Sequence, residues 1–182
     1  MDKLFYCFEI AFKHFFHLSM LPQVLFLIII GSFFSLKDWK TYLLIILALC
    51  SGLLIGLSLS VFKIINISGA TINLLVIATL IIVSLHGILS KRITTLHYNI
   101  FVLIGIMQGF IFGAHCKIAM AYKFNFLSFL GYNLGTYSAI LVISFLSIIV
   151  CSLIISFFKT DNHKISLVLS GLGLGVALMM YL

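Results

Sequence analysis

The chain has 182 residues, 63% hydrophobic and only 8% charged, with a formal net charge of +7 and a mean hydropathy of +1.30. So few charges could not cover so apolar an interior in water, so a soluble globular domain is excluded. The positive charge is spread over short connections. That fits loops beside anionic headgroups and argues against nucleic acid as a partner. The expected fold is an all-α polytopic membrane helix bundle of about six transmembrane helices, in a single domain over residues 1–182.

Residues 1–17 (MDKLFYCFEIAFKHFFH) carry Asp2, Glu9, Lys13, His14 and His17 among Leu, Phe and Ile. Glu9 and Lys13 form an i,i+4 pair in the favourable order. They also interrupt what would be the apolar core of a signal peptide, and no small-x-small cleavage site follows. The expectation is an amphipathic helix lying in the membrane interface.

The first span is placed near residues 18–36, with Ser19 as the cap and Pro22 in the first turn, where its missing N–H does no harm. Trp39 anchors the next loop at headgroup level between Lys37 and Lys40. The second span lies near 41–62 and contains Gly52 and Gly56. The third lies near 71–89, with Asn73 at its start and His86 near its end. A polar loop with the chain's only Arg, Arg92, leads into the fourth span, near 99–116, and residues 117–125 are expected at the interface. The fifth, near 126–158, exceeds one perpendicular crossing, so tilt, a kink near Gly131 and Gly135, or extension beyond the lipid is expected. The sixth lies near 165–182. Lysines and Arg92 divide almost evenly between the two sides, so charge does not fix the orientation.

The densest packing signal is FVLIGIMQGFIFGAHC at residues 101–116, where Gly105, Gly109 and Gly113 recur every fourth residue. On a helix they form a line free of side chains, and such stripes let membrane helices approach closely. Gly131 and Gly135 make a second small-xxx-small pair. The two stretches are expected to pack on each other at the centre of the protein.

Cys7, Cys50, Cys116 and Cys151 form no CxxC and lie in or beside apolar segments, so they read as small core residues. His14 and His17, three apart on one helix face, are candidate metal ligands, with Gln23 and Gln108 as weaker ones. The blander reading makes the histidines the polar edge of an interfacial helix. It makes Gln108 and Asn133 interhelical hydrogen-bond partners. His115 and Cys116 point about 100° apart on a helix and are not expected to chelate together. The acids Asp2, Glu9, Asp38 and Asp161 all fall outside the expected spans, and the serines there have no evident base, so catalysis is not expected. No cofactor is expected either.

The order of segments resembles the HupE/UreJ family of six- or seven-span membrane proteins linked to nickel and cobalt uptake. That family's "KH…GYDHxLFL" is similar to Lys13-His14 followed by LPQVLFL at residues 21–27. A second-span "GHT/S" resembles GLLIG at 52–56, and a third-span "VExL" resembles INLL at 72–75. "HGFGFA" resembles QGFIFG at 108–113, and "FNLGVELGQ" resembles YNLGTYSAI at 132–140. The resemblance implies a bacterial inner membrane location, with the N-terminal helix on the outer face.

The departures fall on the metal-competent positions. The family's Asp and His in the first motif correspond to Pro22 and Gln23, and the second-span His corresponds to Leu53. The third-span Glu corresponds to Asn73 and the fourth-span His to Gln108. The fifth-span Glu and Gln correspond to Tyr137 and Ile140. His14, Gly52, Gly109, Phe110, Phe112, Asn133 and Gly135 match. Nickel and cobalt favour imidazole and carboxylate, and no Asp or Glu lies between Asp38 and Asp161. The expectation is therefore a degenerate metal site on a permease-like scaffold that serves as a structural or partner subunit beside other membrane proteins. The alternative is a permease for a divalent metal or another small solute.

Overall fold

A computed structural model describes residues 3–89, 95–120 and 124–182, with side chains at all of these except 95–97. The loop carrying Lys91 and Arg92, the His97 side chain and Lys123 lie outside the described residues.

The described residues form seven α-helices in an all-α bundle: α1 Lys3–His14, α2 Leu21–Ser32, α3 Trp39–Val61, α4 Gly69–Leu89, α5 Thr95–Ala119, α6 Phe126–Phe158 and α7 Asn162–Tyr181. The last five are each long and apolar enough to cross a membrane, and α1 with the segment Leu18–Ser32 makes a pair bent by 68° that would count as one further span. The protein is an integral membrane protein.

The first expected span changes most. Only Leu21–Ser32, 12 residues, is α-helical there. At 1.5 Å per residue that is about 18 Å, short of the ~30 Å hydrocarbon core. A 3-10 turn over Leu18–Met20 precedes α2. The chain caps that turn with His17, whose side chain accepts from the Ser19 amide, so Ser19 is the capped residue rather than the cap. Pro22 stands in the first turn of α2 as expected.

The N-terminal helix also departs from expectation. It does keep the Lys13–Glu9 ion pair on an exposed edge. Cys7, Ala11 and Phe15, however, are buried at 1–2% exposure. A Cβ built on Gly131 would overlap Leu4, and one on Gly135 would overlap Phe8 and meet Ala11. Positions four apart on α1 thus meet positions four apart on α6, so the two helices run side by side in the same direction. A helix lying across the bundle's end would touch α6 at one turn only. The small pair at Gly131 and Gly135 therefore receives α1, not α5.

The stripe on α5 meets α3 instead. A Cβ on Gly105 would overlap the Leu49 carbonyl, and one on Gly109 would overlap the Leu53 carbonyl and stand 2.8 Å from the Gly56 Cα. From the other side, Gly52 and Gly56 face the Val102 and Ile106 carbonyls. Both numberings rise together, so α3 and α5 run parallel, small residues against backbone in both directions. Lipid is as apolar as Leu, so burying Leu against Leu gains little in a bilayer. Close backbone packing is what holds such a pair. Gly113 continues the seam against Ser60.

The remaining helices use serine in the same way. On α7, Ser166 Oγ donates to the Gly87 carbonyl of α4 at 3.2 Å. Gly173 faces Ser84, and Gly87 faces Ser170. Tyr42 at the head of α3 donates to the Ser144 carbonyl of α6 at 3.0 Å. On α2, Gly31 lies against Ser147 of α6. The bundle centre is thus α2, α3, α5 and α6, with α7 lying outside against α4 and α2.

Candidate functional site

The break between α1 and α2 brings the candidate residues into one region. His14 ends α1. Phe15, next along, is buried and stacks on Phe112 of α5 with ring centroids 4.9 Å apart. That stacking carries the His14 ring to within 4.4 Å, centroid to centroid, of His115. His17 lies 6.5 Å from His14, is exposed, and engages Ser19 through Nδ1. His14 Nε2 is buried without a hydrogen-bond partner. Thus His115, which its neighbour Cys116 gave no reason to link with His14, is the closer of the two imidazoles. Among the described residues, no three His, Cys, Asp or Glu side chains converge as metal ligands.

Deeper in the bundle, Gln23 is 4% exposed and Gln108 3%. Both border a cavity of about 10 Å³ whose other walls are Phe15, Phe26, Leu27, Leu49, Leu53, Phe112 and Ile140. Space of that size is at the lower limit for a single water. Gln108 Nε2 donates to Thr79 Oγ1 of α4 at 3.1 Å, and Thr79 donates onward to the Val76 carbonyl at 2.9 Å. Gln108 is thereby tied across helices, through a threonine that a lone hydroxyl in an apolar run did not single out. Asn133 behaves otherwise: its Nδ2 donates to the Phe129 carbonyl of its own helix at 2.8 Å, so it is not an interhelical partner.

Leu53, Tyr137 and Ile140 are engaged in packing or hydrogen bonding to backbone. Leu53 is fully buried at 0% exposure beneath Gly109. Tyr137 donates to the Cys50 carbonyl at 3.3 Å. Ile140 is buried against the cavity. Asn73 is exposed in the first turns of α4. His86 is flanked by Phe33 at 5.5 Å and Phe101 at 5.9 Å.

Chemically, the region offers two layers. Near the break stand two imidazoles with their rings against each other and His14 Nε2 unpartnered. Beneath them lies a centre of two amides and tightly fitted Phe, Leu and Ile. No protein-family model, curated protein or solved structure matches the chain.

Proposed function

We propose that this chain is a non-transporting structural or partner subunit of a bacterial inner-membrane assembly, on a HupE/UreJ-like scaffold whose metal positions have been filled in. One observation carries the reading: the bundle centre, where Gln23 and Gln108 stand, is closed by seven apolar side chains around a space of about 10 Å³. A dication leaving water needs formal negative charge or several imidazoles around it. Neutral amides walled by Phe and Leu supply neither. The helix break and the His14–His115 pair favour the second reading, a permease, because discontinuous helices recur at transporter sites.

Calorimetry on the purified protein separates the two. The subunit reading expects no nickel or cobalt binding at low micromolar affinity. Tight binding that is lost on Gln23→Ala or Gln108→Ala would establish the permease instead.

A further inference from the structure

Helix α6 is 33 residues long, unbroken, and uncharged from Phe126 until Lys159. At 1.5 Å per residue it measures about 50 Å. Even a tilt of about 40°, the upper end for membrane helices, leaves ~38 Å along the normal, against a ~30 Å hydrocarbon core.

The excess lies at one end. Near its start α6 is level with the end of α3, where the rings of Phe62 and Phe129 lie 6.1 Å apart. At the other end Tyr42, three residues into α3, bonds the Ser144 carbonyl. The interfacial residues Trp39 and Lys40 are therefore level with α6 a turn or so beyond Ser144. Cys151 is the last buried residue of α6. The seven residues beyond it add about 10 Å, and they include Leu153, Phe157 and Phe158 at 63%, 82% and 69% exposure. Ser152, Ser156 and these apolar residues carry no charge to hold the turn in water. Lys159, at φ 49°, and the sequence KTDNHK mark where the apolar run stops.

We infer that the last two turns of α6 are covered by lipid acyl chains, so that the bilayer is drawn up around this corner and the protein prefers a membrane thicker than its other spans require. An apolar run bounded by lysine is what a hydrocarbon segment looks like, and adjacent lipid adapts to such a mismatch at modest cost per ångström. The inference stands apart from the subunit reading, since it needs no other protein.

The test uses the purified full-length chain alone in phosphatidylcholine vesicles. Cys50 is replaced by Ala, and the three buried cysteines are left in place. A spin label at Ile154→Cys is compared with one at Val142→Cys, mid-helix and 41% exposed, and one at Lys164→Cys. The expected result is that position 154 collides with oxygen in preference to a water-soluble nickel chelate, as position 142 does and position 164 does not. Preference for the chelate at 154 would overturn the inference and point to a protein partner covering that end. The unmodified chain is then followed in vesicles of 14-, 18- and 22-carbon monounsaturated lipids. Its unfolding rate is expected to fall severalfold toward the longest chains. A rate that is flat, or lowest in the shortest lipid, would overturn the inference as well.

Discussion

The seam between α3 and α5 is the sharpest place to perturb the bundle, and Gly109→Ala is the smallest perturbation that reaches it. An added methyl would overlap the Leu53 carbonyl and stand 2.6 Å from the Leu57 amide nitrogen. These are backbone atoms of a packed helix and cannot rotate aside. Overpacking costs about 1–3 kcal/mol where side chains give way, and backbone contact puts this site at the top of that range. Alanine's helix preference over glycine returns about 1 kcal/mol. The net expectation is ~2 kcal/mol of destabilisation, a change of roughly 30-fold in the folded-to-unfolded ratio. Gly175→Ala supplies the control, because nothing lies within 4 Å of a Cβ there. It should be neutral or stabilising by up to ~1 kcal/mol. Equilibrium unfolding of both variants in mixed detergent and SDS micelles gives the comparison. If Gly109→Ala proves as stable as Gly175→Ala, the seam is not what holds α5 in place.

Gly135→Leu should free α1 from α6 while leaving the rest folded, read as proteolytic release of the N-terminal segment from an otherwise resistant core. Tyr42→Phe, which removes donation to Ser144 and the 3.2 Å contact with Ser147, should cost about 1 kcal/mol in the same unfolding assay. Gln108→Leu should cost no more than ~1.7 kcal/mol, the upper end for interhelical bonds in membranes, and should leave the bundle intact by circular dichroism. For orientation, Asp38→Cys in a chain stripped of its native cysteines should resist a membrane-impermeant thiol reagent in intact cells. Ready labelling would invert the topology.

The helices were legible because an uncharged run of sufficient length has few alternatives: residues 126–158 were bounded in the sequence as α6 is in the structure. Pairing was not legible. Glycines at every fourth position occur in four groups in this chain, and spacing alone neither matches them nor says that one of them, Gly171 and Gly175, meets nothing at all. The stripe at Gly105, Gly109 and Gly113 went to Gly52 and Gly56, and Gly131 and Gly135 went to α1, whose Ala11 and Phe8 advertise no special fit. The N-terminal helix carries the charged edge that the sequence shows. Its buried face of Cys7, Ala11 and Phe15 reads equally well as a lipid-facing one. The proximity of His14 and His115 depends on where the chain breaks after α1, and beside that break Phe15 stacks on Phe112, a contact that no local pattern encodes.

The proposal that this chain is a subunit rather than a carrier is tested most directly by its state in the membrane where it is made. Chain tagged at its native level, extracted in mild detergent and examined by native mass spectrometry, is predicted to appear with one or more other integral membrane proteins at fixed stoichiometry, and without bound nickel or cobalt. A chain that emerges alone, carrying either metal in a form abolished by Gln23→Ala or Gln108→Ala, would contradict the account and make it a permease.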